Sequence, residues 1–156
     1  MEILIDDKIV QIDEDDLFIL CERTWRYCKH TDTIRANGSI NRKDVAYYLH
    51  REIMKVGRDR YIEVDHIDHD HMDNRKHRLR VCTKEENCRN RRSRKGSSSK
   101  YLGVSYSKHN KKWRAVVRDK YRNIHVGYFT EEVTAAKERD LVAKAEYGEF
   151  AHLNFR

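Results

Sequence analysis

The chain has no uninterrupted apolar run of the roughly 18 residues that a bilayer-crossing helix needs. Its first residues are acidic rather than the basic start of a secretory signal. The expected setting is therefore cytosolic, with no membrane partner. Its four cysteines, Cys21, Cys28, Cys82 and Cys88, stand at gaps of 7, 54 and 6, so there is no CxxC pair and no zinc-knuckle spacing. They are expected to be reduced and incidental, and a structural zinc is not expected. Internal repeats are missing as well. Apolar residues make up 38% of the sequence, the same share as charged ones, which leaves material for only a thin interior. At 156 residues this means one modest domain or two small ones, each with a marginal core.

What the sequence does have is charge, and the charge is segregated. Residues 1–20 hold seven acids (Glu2, Asp6, Asp7, Asp13, Glu14, Asp15, Asp16) against Lys8 alone. From Arg89 to Arg122 the pattern inverts, with thirteen Lys or Arg and one acid, Asp119. A basic stretch of that density concentrates a polyanion, because each neutralised phosphate releases counterions. The alternative is a merely solvated charged face.

Short apolar runs at Ile3 to Ile5, Ile9 to Ile12, Trp25 to Cys28 and Val45 to Leu49 suggest small antiparallel strands, with turn signals at Asp6-Asp7 and Asn37-Gly38. Asp15 or Asp16 is placed to cap a short helix carrying Leu17, Phe18 and Leu20. Tyr61 to His66 reads as a strand, followed by a polar loop to about Arg75 and a second strand at Leu79 to Cys82. Thr83 and Glu86 then have capping-box spacing for a helix. Arg89 to Lys100 contains no apolar residue, and Gly96-Ser97-Ser98-Ser99 has a flexible composition, so a basic linker is expected over 92–100. Beyond it, Tyr101 to Ser107, Trp113 to Arg118 and Ile124 to Phe129 read as three strands. A helix from about Glu131 to Tyr147 ends at Gly148, with a stripe of small residues (Ala135, Ala136, Val142, Ala143) that lets it lie close to a sheet.

Cutting a phosphodiester calls for a divalent cation at the leaving oxygen and a base to deprotonate water. Asp65 and His66 offer one candidate for each, at the end of a strand where the chain must bend. Asn87 adds a neutral oxygen from the following helix, and a hard oxygen pair suits magnesium, or another divalent cation, better than zinc. Val64-Asp65-His66-Ile67-Asp68, Asp73-Asn74-Arg75, Leu79-Arg80 and Asn87 resemble the ββα-metal motif of phage and intron-encoded HNH homing endonucleases over about residues 61–91. Tyr48-Leu49-His50-Arg51 is more loosely similar to the segment that precedes it. The resemblance implies Asp65 and Asn87 as metal ligands and His66 as general base. It departs at Arg78, which stands where the family has the central Asn. Asn74, four residues earlier, is then the candidate to brace the loop, and Arg78 a candidate phosphate contact. His66, His69 and His71 form a His-x-x-His-x-His run, read as solvated or phosphate-facing rather than as a transition-metal site, and His77 is read in the same way. His50 is open between lining the groove and packing structurally.

Tyr101-Leu102-Gly103-Val104, Lys112-Trp113-Arg114-Ala115, Val126-Gly127-Tyr128-Phe129, Ala135-Ala136, Asp140 and Leu153-Asn154-Phe155 resemble the DNA-binding domain of the APETALA/ethylene-response-factor family. That resemblance implies a three-stranded sheet in the major groove, backed by the helix. Strand alternation puts Trp113, Ala115 and Val117 toward the helix and Arg114, Val116 and Arg118 toward DNA. Ser105, Ser107, Asn123 and His125 point the same way. Lys108, Lys111 and Lys112 fall in a turn suited to the phosphate backbone, and Arg89, Arg91, Arg92, Arg94 and Lys95 in the basic stretch are expected on DNA too. Ser and His stand where that family has Arg and Trp, so its target sequence does not carry over.

The expectation is an α+β chain: small N-terminal antiparallel strands and a ββα-metal core in 1–91, a linker at 92–100, and a three-stranded antiparallel sheet packed on one helix in 101–156. Its function is site-specific DNA cleavage with a divalent metal. One active site cuts one strand, so a monomer, the expected state, would nick. The partner is double-stranded DNA, with no small-molecule substrate, in the cytoplasm of a host cell as the phage and mobile-element resemblance implies. The alternatives are a DNA-binding, regulatory or inhibitor protein that keeps this scaffold with weakened catalysis because of Arg78, and an RNA-directed nuclease.

Overall fold

The computed structural model describes residues 1–90, 96–118 and 122–155. They form an α+β chain of small antiparallel sheets with few helices, divided into two compact units, Met1–Lys84 and Glu85–Arg156.

In the first unit, β1 (Glu2–Ile5) and β2 (Lys8–Gln11) form a hairpin through Asp6-Asp7, with Ile5 opposite Lys8. A 3-10 turn at Glu14–Asp16 leads into the one-turn helix α1 (Phe18–Cys21), where no acid side chain caps the helix. Asp16 faces inward instead, at 2% exposure. Strands β3 (Arg26–Cys28), β4 (Thr33–Ile40) and β5 (Lys43–Tyr48) make a three-stranded antiparallel sheet. Asn37-Gly38 lies inside β4 rather than at a turn; the reversal is at Asn41-Arg42, both with positive φ, between the paired Ile40 and Lys43. Gly38 belongs in the strand because a Cβ there would meet the Tyr47 ring at 2.9 Å. The helix α2 (Leu49–Ile53) follows, then the hairpin β6 (Ile62–His66) and β7 (Leu79–Thr83). The core is aliphatic, with Val10, Ile12, Ile34, Leu49 and Ile53 at 0–1% exposure. Trp25 packs among these residues and donates its indole N–H to the Ile19 carbonyl at 3.1 Å.

The helix α3 (Lys84–Arg89) begins at the unit boundary. In the second unit, β8 (Val104–Ser107), β9 (Lys112–Arg118) and β10 (Asn123–Phe129) form an antiparallel sheet in the order β10-β9-β8, packed on α4 (Glu132–Tyr147). Ala135, Ala136 and Ala143 are fully buried against Val104, Ala115 and Val117, so helix and sheet approach over small side chains. The C-terminus is fastened back to the start of the unit. The Asp140 carboxylate accepts from the backbone N–H groups of Asn154 and Phe155, and the Asn154 carboxamide pairs with both backbone groups of Leu102. Ser98 and Ser99, expected in a flexible linker, are tied into this unit. Ser99 Oγ donates to Glu132 at 2.6 Å, and Ser98 Oγ accepts from the Tyr106 N–H. Residues 92–95 of the expected basic linker lie outside the described residues.

Candidate functional site

Asp65 and His66 are the last two residues of β6, at 7% and 6% exposure, opposite Arg80 and Leu79 of β7. Neighbours on a strand point to opposite sides, so the use of both depends on how the chain turns next. It turns at once: the His69 N–H donates to the His66 carbonyl at 3.0 Å, and His69 has φ +59°. The loop then returns Asn74, at 1% exposure, to the His66 ring, with Oδ1 3.4 Å from Nε2. Asn74 Nδ2 donates to the His71 carbonyl at 3.2 Å, which fixes the oxygen end of the carboxamide toward the imidazole. Nε2 of His66 therefore carries the proton, and Nδ1 carries the lone pair.

His50 and His71 flank that ring, each with its centroid 5.1 Å away. Burial, reinforced by the charge on His71, pushes the His66 imidazole down to about 4, against a weaker upward pull from Asn74 and Asp65. Burial pushes His50 further, to about 3, and the crowding of a second positive charge against His66, Arg51 and His71 adds to it. Both rings are neutral at physiological pH.

The loop is held by the acidic N-terminal segment. Gln11 donates its N–H to the Met72 carbonyl and accepts from the Asn74 N–H, both at 2.8 Å. Asp13 accepts from the Lys76 N–H at 2.8 Å, and the buried Asp16 pairs with Lys76 Nζ at 2.7 Å. Arg75 clamps Asp73 through two hydrogen bonds of 2.8 and 2.6 Å, holding that carboxyl below the usual range. Arg78, expected on phosphate, reaches across the loop to Asp68 at 2.7 Å while its side chain stays 45% exposed.

One partner of the site was not anticipated from the sequence. Arg80 donates from Nε at 3.0 Å and from Nη2 at 2.7 Å to Asp65 Oδ2. The signal lay in the hairpin register, which sets an Arg directly opposite the key carboxylate. A buried carboxylate is the oxygen ligand a hard divalent ion takes, and the guanidinium on Oδ2 competes with such an ion for it. Among the described residues no three His, Cys, Asp or Glu side chains are grouped to hold a metal; the expected pair is a carboxylate and an amide. Asn74 meets His66, and Asp65 directly precedes His66 on β6, within the first unit, while Asn87 lies half-buried on α3 in the second. No family model matches the chain, and no curated protein matches it significantly.

The second unit carries the basic face. The register pairs Ser105 with Arg114, Ser107 with Lys112, Asn123 with Arg118 and His125 with Val116, so these residues share the sheet face away from α4. All are exposed except Ser107, which is half-buried, and Val116, which at 7% exposure forms the floor of the face rather than a contact. Lys108 and Lys111 are exposed in the β8–β9 turn, whereas Lys112 is already in β9. Among the described residues no acid forms an ion pair with Lys112, Arg114 or Arg118. A bulge between His125 and Gly127 inverts the alternation and sets Tyr128 opposite Arg114, on this face, with its ring 4.9 Å from His125. Strict alternation misses Tyr128; Gly127 inside a strand was the warning. Arg89, expected on DNA, lies over the Tyr147 ring at 4.9 Å, and Arg91, Arg92, Arg94 and Lys95 lie outside the described residues.

In the described residues no helix is long and apolar enough to cross a membrane. Among the described residues no cysteine is in a disulfide.

Proposed function

We propose that the chain is a metal-dependent DNA endonuclease of the HNH kind whose second unit reads duplex DNA through the outer face of its sheet. The observation that carries this reading is the hairpin end: a buried carboxylate, a buried imidazole next to it in sequence, and Asn74 fixing that imidazole with its lone pair on Nδ1. His66 takes the proton from the attacking water at Nδ1, and Asn74 holds the ring and its tautomer while this happens. The enclosing His50 and His71 keep the ring in the neutral form that accepts a proton. Asp65 would be a ligand of a divalent cation, which when bound would stabilise the charge developing on the leaving oxygen. Arg114, Arg118, Asn123 and His125, joined by Tyr128, offer guanidinium, amide, imidazole and ring groups to base edges and phosphates, with Lys108, Lys111 and Lys112 at the backbone.

A second reading, a DNA-binding protein with weakened catalysis, is favoured by one observation. An imidazole held near 4 accepts a proton with less driving force than one near 7. The experiment that separates the two is nicking of supercoiled DNA in magnesium by the natural chain, His66→Ala and Arg78→Asn. Nicking that disappears in His66→Ala supports the nuclease; an inert natural chain with an active Arg78→Asn variant supports the binder.

A further inference from the structure

Asp65 is buried and carries a guanidinium on one of its oxygens, which raises the question of what that guanidinium does when a divalent ion arrives. Arg80 and Asp65 are direct cross-strand partners, with side chains 13% and 8% exposed, and Arg80 donates to Oδ2 from both Nε and Nη2. A carboxylate this enclosed needs a compensating charge, because an unpaired buried ion is strongly disfavoured. The same positive charge repels any cation brought to the same carboxylate.

We infer that Arg80 is a resident counter-charge for Asp65, a positioning residue that competes with the divalent ion for the carboxylate and so keeps cation affinity low in the absence of DNA. With an ion on Asp65, Arg80 would be drawn from Oδ2, and its planar guanidinium would be placed to pair with a phosphate instead. Uptake of metal and of an anionic substrate are then linked through a single side chain. This role rests on the endonuclease reading, because it takes Asp65 to be a ligand.

The test is a manganese titration of the full chain without DNA, followed by electron paramagnetic resonance, for the natural chain, Arg80→Gln, Arg80→Lys and Arg80→Gln combined with Asp65→Asn. Gln keeps a donor for Oδ2 without the charge, and Lys keeps the charge. Arg80→Gln is expected to bind manganese about tenfold tighter, the effect of removing one screened charge a few ångströms from the ion. Arg80→Lys should bind like the natural chain, and the double variant should lose the site. The second readout needs no stable variant: the Arg80 Nε–H resonance of the natural chain, followed by NMR, should shift as magnesium is added. Manganese affinity that depends on Asp65 but is unchanged or weaker in Arg80→Gln, or an Arg80 resonance indifferent to magnesium, overturns the role of Arg80 and leaves the metal reading standing. If no form of the chain binds manganese through Asp65, both fall.

Discussion

The two units use charge in opposite ways. Met1–Lys84 has sixteen Lys and Arg against seventeen Asp and Glu, whereas Glu85–Arg156 has seventeen against nine. In the first unit the charges around His66 are paired with one another: Lys76 with Asp16, Arg75 with Asp73, Arg78 with Asp68 and Arg80 with Asp65 all fix the loop and strand ends there. In the second, the ionic network of Arg139, Asp140 and Asn154 fastens the chain ends, while Lys112, Arg114 and Arg118 face outward. Internal pairing holds side chains in fixed orientation, which is what the proposed chemistry at His66 would need. Excess charge left on a surface attracts a polyanion, where the field matters most. The sign of a segment in the sequence therefore says less than whether its charges find partners.

The sharpest way to break this comparison is to disable each unit by itself. His66→Ala should lower magnesium-dependent nicking by about 10²–10⁴-fold, the usual worth of a general base, with duplex affinity unchanged. Arg114→Ala with Arg118→Ala should instead weaken duplex binding by on the order of 10–100-fold and flatten its salt dependence, at about one unit of slope for each phosphate that is no longer neutralised. Nicking rate at saturating DNA and DNA binding by gel shift, measured on both variants, check the pair. If the arginine variant loses rate but not affinity, the division of labour is wrong.

A next effect is confined to the second unit. Gly103 has φ +75°, and a Cβ there would sit 2.4 Å from the Val116 carbonyl oxygen, at the point where β8 meets β9. Gly103→Ala should cost about 2–4 kcal/mol, combining left-handed backbone strain with displacement of the sheet. The chain has two tryptophans, Trp25 in the first unit and Trp113 in the second, so each unit has its own reporter. With the other tryptophan replaced by Phe, denaturant unfolding should shift at Trp113 and hold at Trp25.

Much of this was legible in the sequence. Strand alternation correctly separated Arg114 and Arg118 from Trp113 and Ala115, because period two is a local property of the chain. The hairpin of Asp65 and His66 was visible for the same reason. What escaped depended on partners distant in sequence or on breaks in the period. In the sequence the acids of residues 1–20 are a block of one charge with a candidate helix cap at Asp15 or Asp16, yet Asp13 and Asp16 reach Lys76, about sixty residues away. Tyr128 was hidden by a bulge and Arg80 by register, and Asn37-Gly38 looked like a turn because Gly38 is there to admit the Tyr47 ring. The bracing role read for Asn74 agrees with its contact to His66, though nothing local to Asn74 encodes His71 as its other partner.

The clamp by the acidic segment can be tested in the first unit alone. Lys76→Ala leaves Asp16 at 2% exposure without its ammonium partner. The lysine is half-exposed, so solvent already screens the pair and the cost is expected to be about 1–2 kcal/mol rather than that of a fully buried bridge. Loosening residues 71–76 should also free Asn74 from His66 and lower nicking severalfold. Thermal unfolding followed at Trp25 gives the first number and the plasmid assay the second. A drop in stability with nicking intact would mean that the clamp supports the fold but not the site.

The smallest effect is a pH dependence carried by the first unit. His50 and His66 have folded-state values of about 3 and about 4, below the ordinary 6.5. The unfolded chain thus binds protons that the folded chain refuses, so stability contributed by these rings is complete above about pH 6.5 and declines as pH falls toward 3–4. At pH 5.5 each ring should have lost on the order of 1 kcal/mol, since one unit of pKa is worth about 1.4 kcal/mol. Carboxylates such as Asp73, whose value is lowered by Arg75, lose their contribution only below the ordinary carboxyl range, in a separate and more acidic window. His50→Phe keeps an aromatic ring beside His66 and removes one titrating group, so the Trp25 transition should lose about half of its decline between pH 7.5 and 5.5. An unchanged decline would move the acid sensitivity away from the histidine cluster.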